Sequence, residues 1–429
     1  MPASPVNCLA GEPRACYHAW RSGLSADEDA LLLVDFELQR YWLRDAQPLL
    51  LTALYCVSKG RVRVAVTDQA LSAERQCAVE QFERWVRRYQ LASTEPGVPL
   101  ELFPVSIPKP WGQEIWYSAV EQRGVCDFAT ATGRTPIPWL QAVLPDNASG
   151  AAGEPLVLLK ILDPSPQPVT GDLYFELHEK KREVYVVTHI DSNAWPDGVG
   201  YIRYGFDPQQ LAGSGDEQTF RANYLAAVRA YEQVRRAIDE SPGAKEQEQE
   251  LLILERERRN QMDRYTHMRE LRVGDVVVVP LLMPHALQHG IRTIEFQTPV
   301  YERKILSFAQ QVLTQKHWDT AEAVAQMSLL APVQQGFDCL LERDGVRVER
   351  IVDFPDFEVR RIHLEAGARL NMASLAEYAM VMVLEGEIAM PDGIYGAQRA
   401  LLLPRGYSAG LVPANPAQAV VLLLAMPRF

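Results

Sequence analysis

The chain is poor in cysteine. Its 429 residues hold six, at positions 8, 16, 56, 77, 126 and 339, and no two form a Cys-x-x-Cys pair. This spacing excludes a zinc knuckle, offers no disulfide framework and points to a reducing compartment. Basic residues are outnumbered: 43 Lys and Arg stand against 55 Asp and Glu, a net charge of −12. Nucleic acid and anionic membrane surfaces favour basic patches, so neither is an expected partner. A small anionic substrate stays open, because a pocket can be locally basic in an acidic chain. No apolar run reaches the roughly 18–20 residues of a membrane span. The opening Met-Pro-Ala-Ser-Pro lacks the basic-then-apolar pattern of a signal peptide, so a cytoplasmic protein is expected.

What is present reads as an ordinary soluble globular chain, with 47% hydrophobic and 23% charged residues and length for two or three domains. Residues 1–100 read as a helical region. Asp27 to Val57 carries apolar residues at mixed helical spacing, and Ala73 to Leu91 repeats Val79, Phe82, Trp85, Val86 and Tyr89 at three and four. A proline-rich connection follows. From Leu156 strand-like runs appear at 156–162, 172–178, 183–190 and 199–204. Residues 217–270 read as a solvated helical hairpin, within an insertion spanning 207–270. Strands resume at 271–280 and 291–297, and 303–330 is again helix-like. The last hundred residues carry strand patterns at 346–353, 357–364, 379–390, 399–404 and 418–425, the spacing of a second sandwich or barrel. The expected architecture is mainly β with helical additions. It has a helical region at 1–100, a metal-binding domain at 101–330, and a metal-free barrel at 331–429.

Two stretches carry chemistry. One is Glu176-Leu177-His178 with Glu183 after a short turn. The other is Gly274 to Pro280 followed by Pro284-His285-Ala286-Leu287. Residues two apart on a strand share a face, so Glu176 and His178 point the same way. Glu183 opens a strand that can return beside His178. Two imidazoles and two carboxylates suit zinc, manganese or ferrous iron. Glu176 lies within a strand-like run, where a carboxylate needs a partner or a metal. His189 is six residues, about 20 Å, along the strand from Glu183 and cannot share the ion. His289 reads as a turn residue facing solvent.

At these residues the chain resembles the type I phosphomannose isomerases, zinc-dependent enzymes of the cupin superfamily. Lys109-Pro110-Trp111-Gly112 with Glu114 and Trp116 resembles their KPWG-type motif, and Leu159-Lys160-Ile161-Leu162-Asp163 their FKIL-type strand. Glu176-Leu177-His178 stands where the family has Gln-x-His-Pro, and Lys181-Arg182-Glu183-Val184-Tyr185 where it has Gly-Lys-Thr-Glu and an aromatic. Gly205-Phe206-Asp207-Pro208 resembles the entry to its helical insertion. Gly274 to Leu287 resembles its GDxxxVPxxxPHAL segment. Ile294-Glu295-Phe296-Gln297 and Tyr301-Glu302-Arg303 resemble its LEIQ and TYR elements. The likeness runs from about Ile107 to Phe308. The chain departs from the pattern at Glu176, which adds a negative charge, and in a much shorter link from His178 to Glu183, which leaves no phosphate-binding loop to map.

The resemblance implies two cupin-like jelly-roll barrels, a Zn2+ site at Glu176, His178, Glu183 and His285, and an aldose–ketose isomerase. Mannose 6-phosphate and fructose 6-phosphate are the implied sugar-phosphate pair, interconverted through a cis-enediol. Glu295 is the implied proton-transfer residue; it shares a strand face with Thr293 and Gln297. Arg303 matches an active-site arginine able to hold developing charge or a phosphate. Lys109, Trp111, Lys160 and Lys181 are substrate-binding candidates, with Lys180 a weaker one; Lys160 stands out inside an apolar run. Three alternatives stay open: another sugar or sugar phosphate, a sugar-binding cupin without turnover, and, less in keeping with these motifs, a metal dioxygenase.

Overall fold

A computed structural model describes all residues except 1–5, 26–27, 44, 72–77, 119–123, 152, 241–244, 309–317, 332–335, 392 and 429. The chain is mainly β and divides into two compact units that interleave along the sequence. One comprises Met1–Val105, Trp116–Leu159 and Phe337–Phe429; the other comprises Ser106–Ile115 and Lys160–Gly336. No helix among the described residues is long and apolar enough to cross a membrane.

The first unit corrects the helical reading of residues 1–100. Val6–Ala10, Ala30–Leu38, Leu49–Ser58 and Arg61–Thr67 form a four-stranded sheet in that order. The first pair is parallel. The helix Pro13–Ser22 makes its crossover and opens with proline at N1 and a Glu12 cap on Arg14 and Ala15 N–H. The runs Leu31–Val34 and Leu51–Val57 are buried along most of their length. A strand covered on both faces loses its alternation, so periodicity cannot tell it from a buried helix. The helix expected over Ala73–Leu91 is present as Ala78–Tyr89, and it packs Phe82, Trp85 and Val86 against Leu31, Leu33 and Leu54. The start of that expected helix, 73–77, lies outside the described residues.

The same unit holds a nine-stranded sheet. Its order is Asp338–Arg343, Val346–Asp353, Phe357–Leu364, Val420–Pro427, Ala379–Glu385, Ala400–Leu403, Leu100–Phe103, Asp127–Thr130 and Gly133–Pro136. Ala400 pairs with Leu102 and Leu402 with Leu100. The expected division at 331 therefore does not separate a self-contained C-terminal barrel, because strands from 100–136 complete its sheet.

The second unit carries the motifs. Its six-stranded sheet runs Val276–Val279, Glu183–Ile190, Ile291–Gln297, Leu158–Pro164, Gly112–Trp116, Val105–Lys109. Its five-stranded sheet runs Thr266–Leu271, Gly200–Phe206, His285–Leu287, Phe175–Leu177, Lys304–Ser307. Among the described residues the sheets do not join into a closed ring, so the expected barrel is an open two-sheet arrangement. The insertion forms helices Pro208–Gly213, Glu217–Glu240 and Lys245–Asp263. It ends earlier than expected, since Thr266–Leu271 is already strand. The hairpin is not wholly solvated: Phe220, Tyr224, Val228 and Tyr231 recur at helical spacing and pack with Met262, Phe308 and Trp318. The helix-like reading of 303–330 holds at Thr320–Gln326 but not at Lys304–Ser307, which is a strand.

Candidate metal centre

The two sheets of the second unit present their ligand-type residues toward each other. Glu176 lies directly opposite His285 on paired strands. Glu176, His178 and His285 offer donor atoms that all lie within 4.8 Å of one another. Glu183 comes from the other sheet. Its Oε2 lies 3.0 Å from His285 Nε2 and its Oε1 3.4 Å from His178 Nε2. The structure thus brings together all four residues singled out as ligands, with Glu183 against both imidazoles.

The hydrogen bonds behind the rings fix what the rings present. His178 Nδ1 is 3.0 Å from the Glu302 carbonyl, and His285 Nδ1 is 3.0 Å from the Met283 carbonyl. A carbonyl only accepts, so each Nδ1 carries a proton and each Nε2 faces the site; in a neutral ring that Nε2 holds the lone pair. Burial, then the Lys181 charge, holds the His178 pKa below the usual histidine range, which favours that neutral form. His178 Nε2 is buried without a hydrogen bond, and so is Glu176 Oε2. The His178 Nε2 lone pair and the carboxylate oxygens facing it repel one another unless a cation sits among them. The donor set therefore fits a divalent ion, and the backbone carbonyls behind the imidazoles are the outer-shell partners such ligands use.

Four cations and four carboxylates surround these atoms. Lys109 pairs with Glu114 at 3.0 Å, Lys160 with Glu295 at 3.2 Å, Lys181 with Glu183 at 2.6 Å and Arg303 with Glu176 at 3.7 Å. Burial works against the Glu176 charge, but the Arg303 charge pulls its pKa down. Glu183 is likewise opposed by burial, yet the Lys181 charge holds it well below the usual carboxylate range. Glu295 goes the other way. Burial and then the Glu183 charge push it well above that range, with Lys160 pulling against them. Two carboxyl groups in one site are thus driven apart, one fixed as an anion and one able to take a proton.

No protein-family profile matches the chain, and no curated protein matches it in sequence. Solved structures do match its fold. Mannose 6-phosphate isomerase from Bacillus subtilis aligns with a TM-score of 0.55 over 77% of this chain and 99% of its own, at 14% identity. A zinc-bound mannose 6-phosphate isomerase gives 0.53 over 77% and 100%, at 13% identity. A variant of phosphomannose isomerase from Salmonella typhimurium gives 0.53 over 76% and 98%, at 12% identity. The chain has the cupin fold of these isomerases.

On this cupin frame the other expected residues fall as follows. Glu295 stands opposite Tyr185, and Gln297 opposite Glu183, so the polar face of 291–297 does turn to the site. Arg303 lies over the Tyr174 ring at 5.0 Å. Trp111 presents no open ring face: it is 2% exposed and packs with Leu162, Tyr185 and Val187. Gly112 explains why this motif ends in glycine. Its φ is +150°, and a Cβ would sit 2.3 Å from the Asp163 carbonyl oxygen. Lys180 is exposed and His189 faces outward. His289 is not a solvent-facing turn residue; it is buried, bonded to Asp172 at 2.7 Å and stacked on Trp195. Sequence reasoning missed Tyr185, whose hydroxyl donates to Glu183 Oε2 at 2.6 Å. Its place two residues after Glu183, on the same face, was the available signal.

Proposed function

We propose that this protein is a metal-dependent cupin enzyme that interconverts an aldose and its ketose, with mannose 6-phosphate and fructose 6-phosphate as the leading pair. The observation that carries this reading is the meeting of Glu176, His178, Glu183 and His285 in one cluster, with the buried Glu295–Lys160 pair on the strand beside Glu183. Glu176, His178, Glu183 and His285 would hold the ion, zinc or another divalent metal. A divalent ion there supplies Lewis-acid polarisation of the sugar oxygens.

The chain's own residues do the rest. Glu295 takes the proton from C2 of the aldose and returns it to C1, passing through a cis-enediol, while a proton moves between O1 and O2. Burial, then the Glu183 charge, raises the Glu295 pKa above the usual carboxylate range, which makes it a stronger base than an exposed carboxylate. Lys160, beside Glu295, stabilises the negative charge that builds on the enediolate. Arg303 turns from Glu176 toward the substrate oxygens. Lys109 and Lys181 complete the positive lining.

The test is a coupled assay of metal-loaded protein with mannose 6-phosphate, following fructose 6-phosphate, with a chelator control. Chelator-sensitive turnover supports the reading, and its absence with metal bound sinks this substrate. A second reading, an unphosphorylated sugar, is favoured by the pairing of Lys109, Lys160, Lys181 and Arg303 each with a carboxylate of the site. Turnover of free mannose at rates above those for the phosphate ester would decide for it.

A further inference from the structure

The scheme above uses His178 and Arg303 and leaves Glu302 without a task. Glu302 nevertheless meets the ligand-bearing turn twice. Its main-chain carbonyl accepts the His178 Nδ1–H at 3.0 Å. Its carboxylate accepts the Glu179 N–H, at 3.2 and 3.0 Å from its two oxygens, and the Lys180 N–H at 3.1 Å. The far end of the same turn is tied to the same segment. Arg182 N–H donates to the Thr298 hydroxyl at 3.1 Å, and Thr298 N–H donates to the Arg182 carbonyl at 3.0 Å. Residues 179–182 have no helix or strand of their own. This short link, which separates His178 from Glu183, is therefore fastened at both ends by residues 298–302.

We infer that Glu302 is a positioning residue of the metal centre. Its carboxylate staples the turn so that His178 and Glu183 stand at one fixed spacing, and its carbonyl sets the His178 tautomer. A carboxylate suits the task because it accepts two neighbouring main-chain N–H groups in charge-assisted bonds. An amide in its place would turn an NH2 group toward one of those donors. The ion pairs of Lys304 with Glu179 at 3.3 Å and with Glu322 at 2.9 Å lie further out on the same support. The inference rests on the metal-site reading. It concerns a side chain that touches neither substrate nor metal and acts through the ligands.

The experiment measures Zn2+ affinity by chelator competition, and the visible spectrum of the Co2+-loaded protein, for wild type, Glu302→Ala, Glu302→Gln and Glu322→Ala. Loss of an outer-shell partner weakens metal binding about 10–100-fold. Glu302→Ala is expected to fall in that range and to shift the Co2+ absorption bands, Glu302→Gln to fall between it and wild type, and Glu322→Ala to match wild type. Wild-type affinity and an unchanged spectrum in Glu302→Ala overturn the inference. Where Glu302→Ala does not fold, Glu302→Gln decides, and its undiminished affinity overturns it equally. A wild type that binds neither ion removes the metal-site reading itself, and this is known before any variant is compared.

Discussion

The interiors of the two units are built to opposite rules on similar strands. Inside the first, inward positions of the C-terminal strands are hydrocarbon: Val348, Ile362, Val381, Leu401, Leu422 and Leu424 belong to one buried cluster. Inside the second, the corresponding alternation on Glu183–Ile190 and Ile291–Gln297 delivers Glu183, Tyr185, Thr293, Glu295 and Gln297 to buried positions. Strand rhythm is common to both, so the rhythm does not make a site. The inward residue type does, and it costs stability, because buried charge must be matched by opposite charge or by a metal.

The largest effect comes from importing the second rule into the first unit. Leu422→Asp places an unpaired charge in an aliphatic core and should destabilise by roughly 3–5 kcal/mol, read by urea unfolding. Glu295→Gln leaves the buried Lys160 without its carboxylate but keeps a hydrogen-bonding amide beside it, so it should cost a smaller amount, about 1–3 kcal/mol, while isomerase turnover falls about 10²–10⁴-fold. An equal stability loss in both would break the contrast.

Next in size, His285→Ala should empty the centre. Elemental analysis should show the ion lost, and turnover should drop about 10³-fold, the loss expected for one strong transition-state stabiliser. Chelation of the wild type is gentler. Removing an ion present at a hundred times its dissociation constant costs about 2.7 kcal/mol. Hydrogen exchange should register that loss in strands 183–190 and 291–297 and not in 379–385 or 420–427. Protection lost evenly across all four would show that the metal stabilises more than its own unit.

The smallest expected effect is at the buried Asp172–His289 pair. Burial opposes the Asp172 charge, but its bonds to the His289 ring and N–H outweigh that and lower its pKa below 3.8. A lowered carboxyl contributes stability that is complete above the unfolded pKa and is lost as pH falls through the folded one. Asp172→Asn should therefore cost about 1–3 kcal/mol at pH 7. The gap from wild type should begin to close only below about pH 3.8. A gap that stays open down to about pH 2 would show that the Asp172 charge contributes nothing to it.

Much of the centre was legible in the sequence because its geometry is local. Glu176 and His178 share a strand face, Glu183 follows at once, and Thr293, Glu295 and Gln297 alternate on one strand. What was not legible depended on long-range pairing. Glu302 reaches the 178–182 turn across more than a hundred residues, and His289 finds Asp172 in the same way. The first hundred residues were misread for a different reason: Leu31–Val34 and Leu51–Val57 are buried strands whose unbroken hydrophobicity hides their period. The join between Leu100–Phe103 and Ala400–Leu403 has no local signature at all.

That join has a consequence for how the molecule is made. Val420–Pro427 lies between Phe357–Leu364 and Ala379–Glu385, in the interior of the nine-stranded sheet. As the chain leaves the ribosome, residues 106–336 are made before 420–427, so the second unit can form while the first still lacks this inner strand. Until that strand arrives, Phe357–Leu364 and Ala379–Glu385 each wait with an open edge, the state most exposed to wrong pairing. Val420–Pro427 is a keystone, and the first unit cannot complete its sheet until that segment has been made.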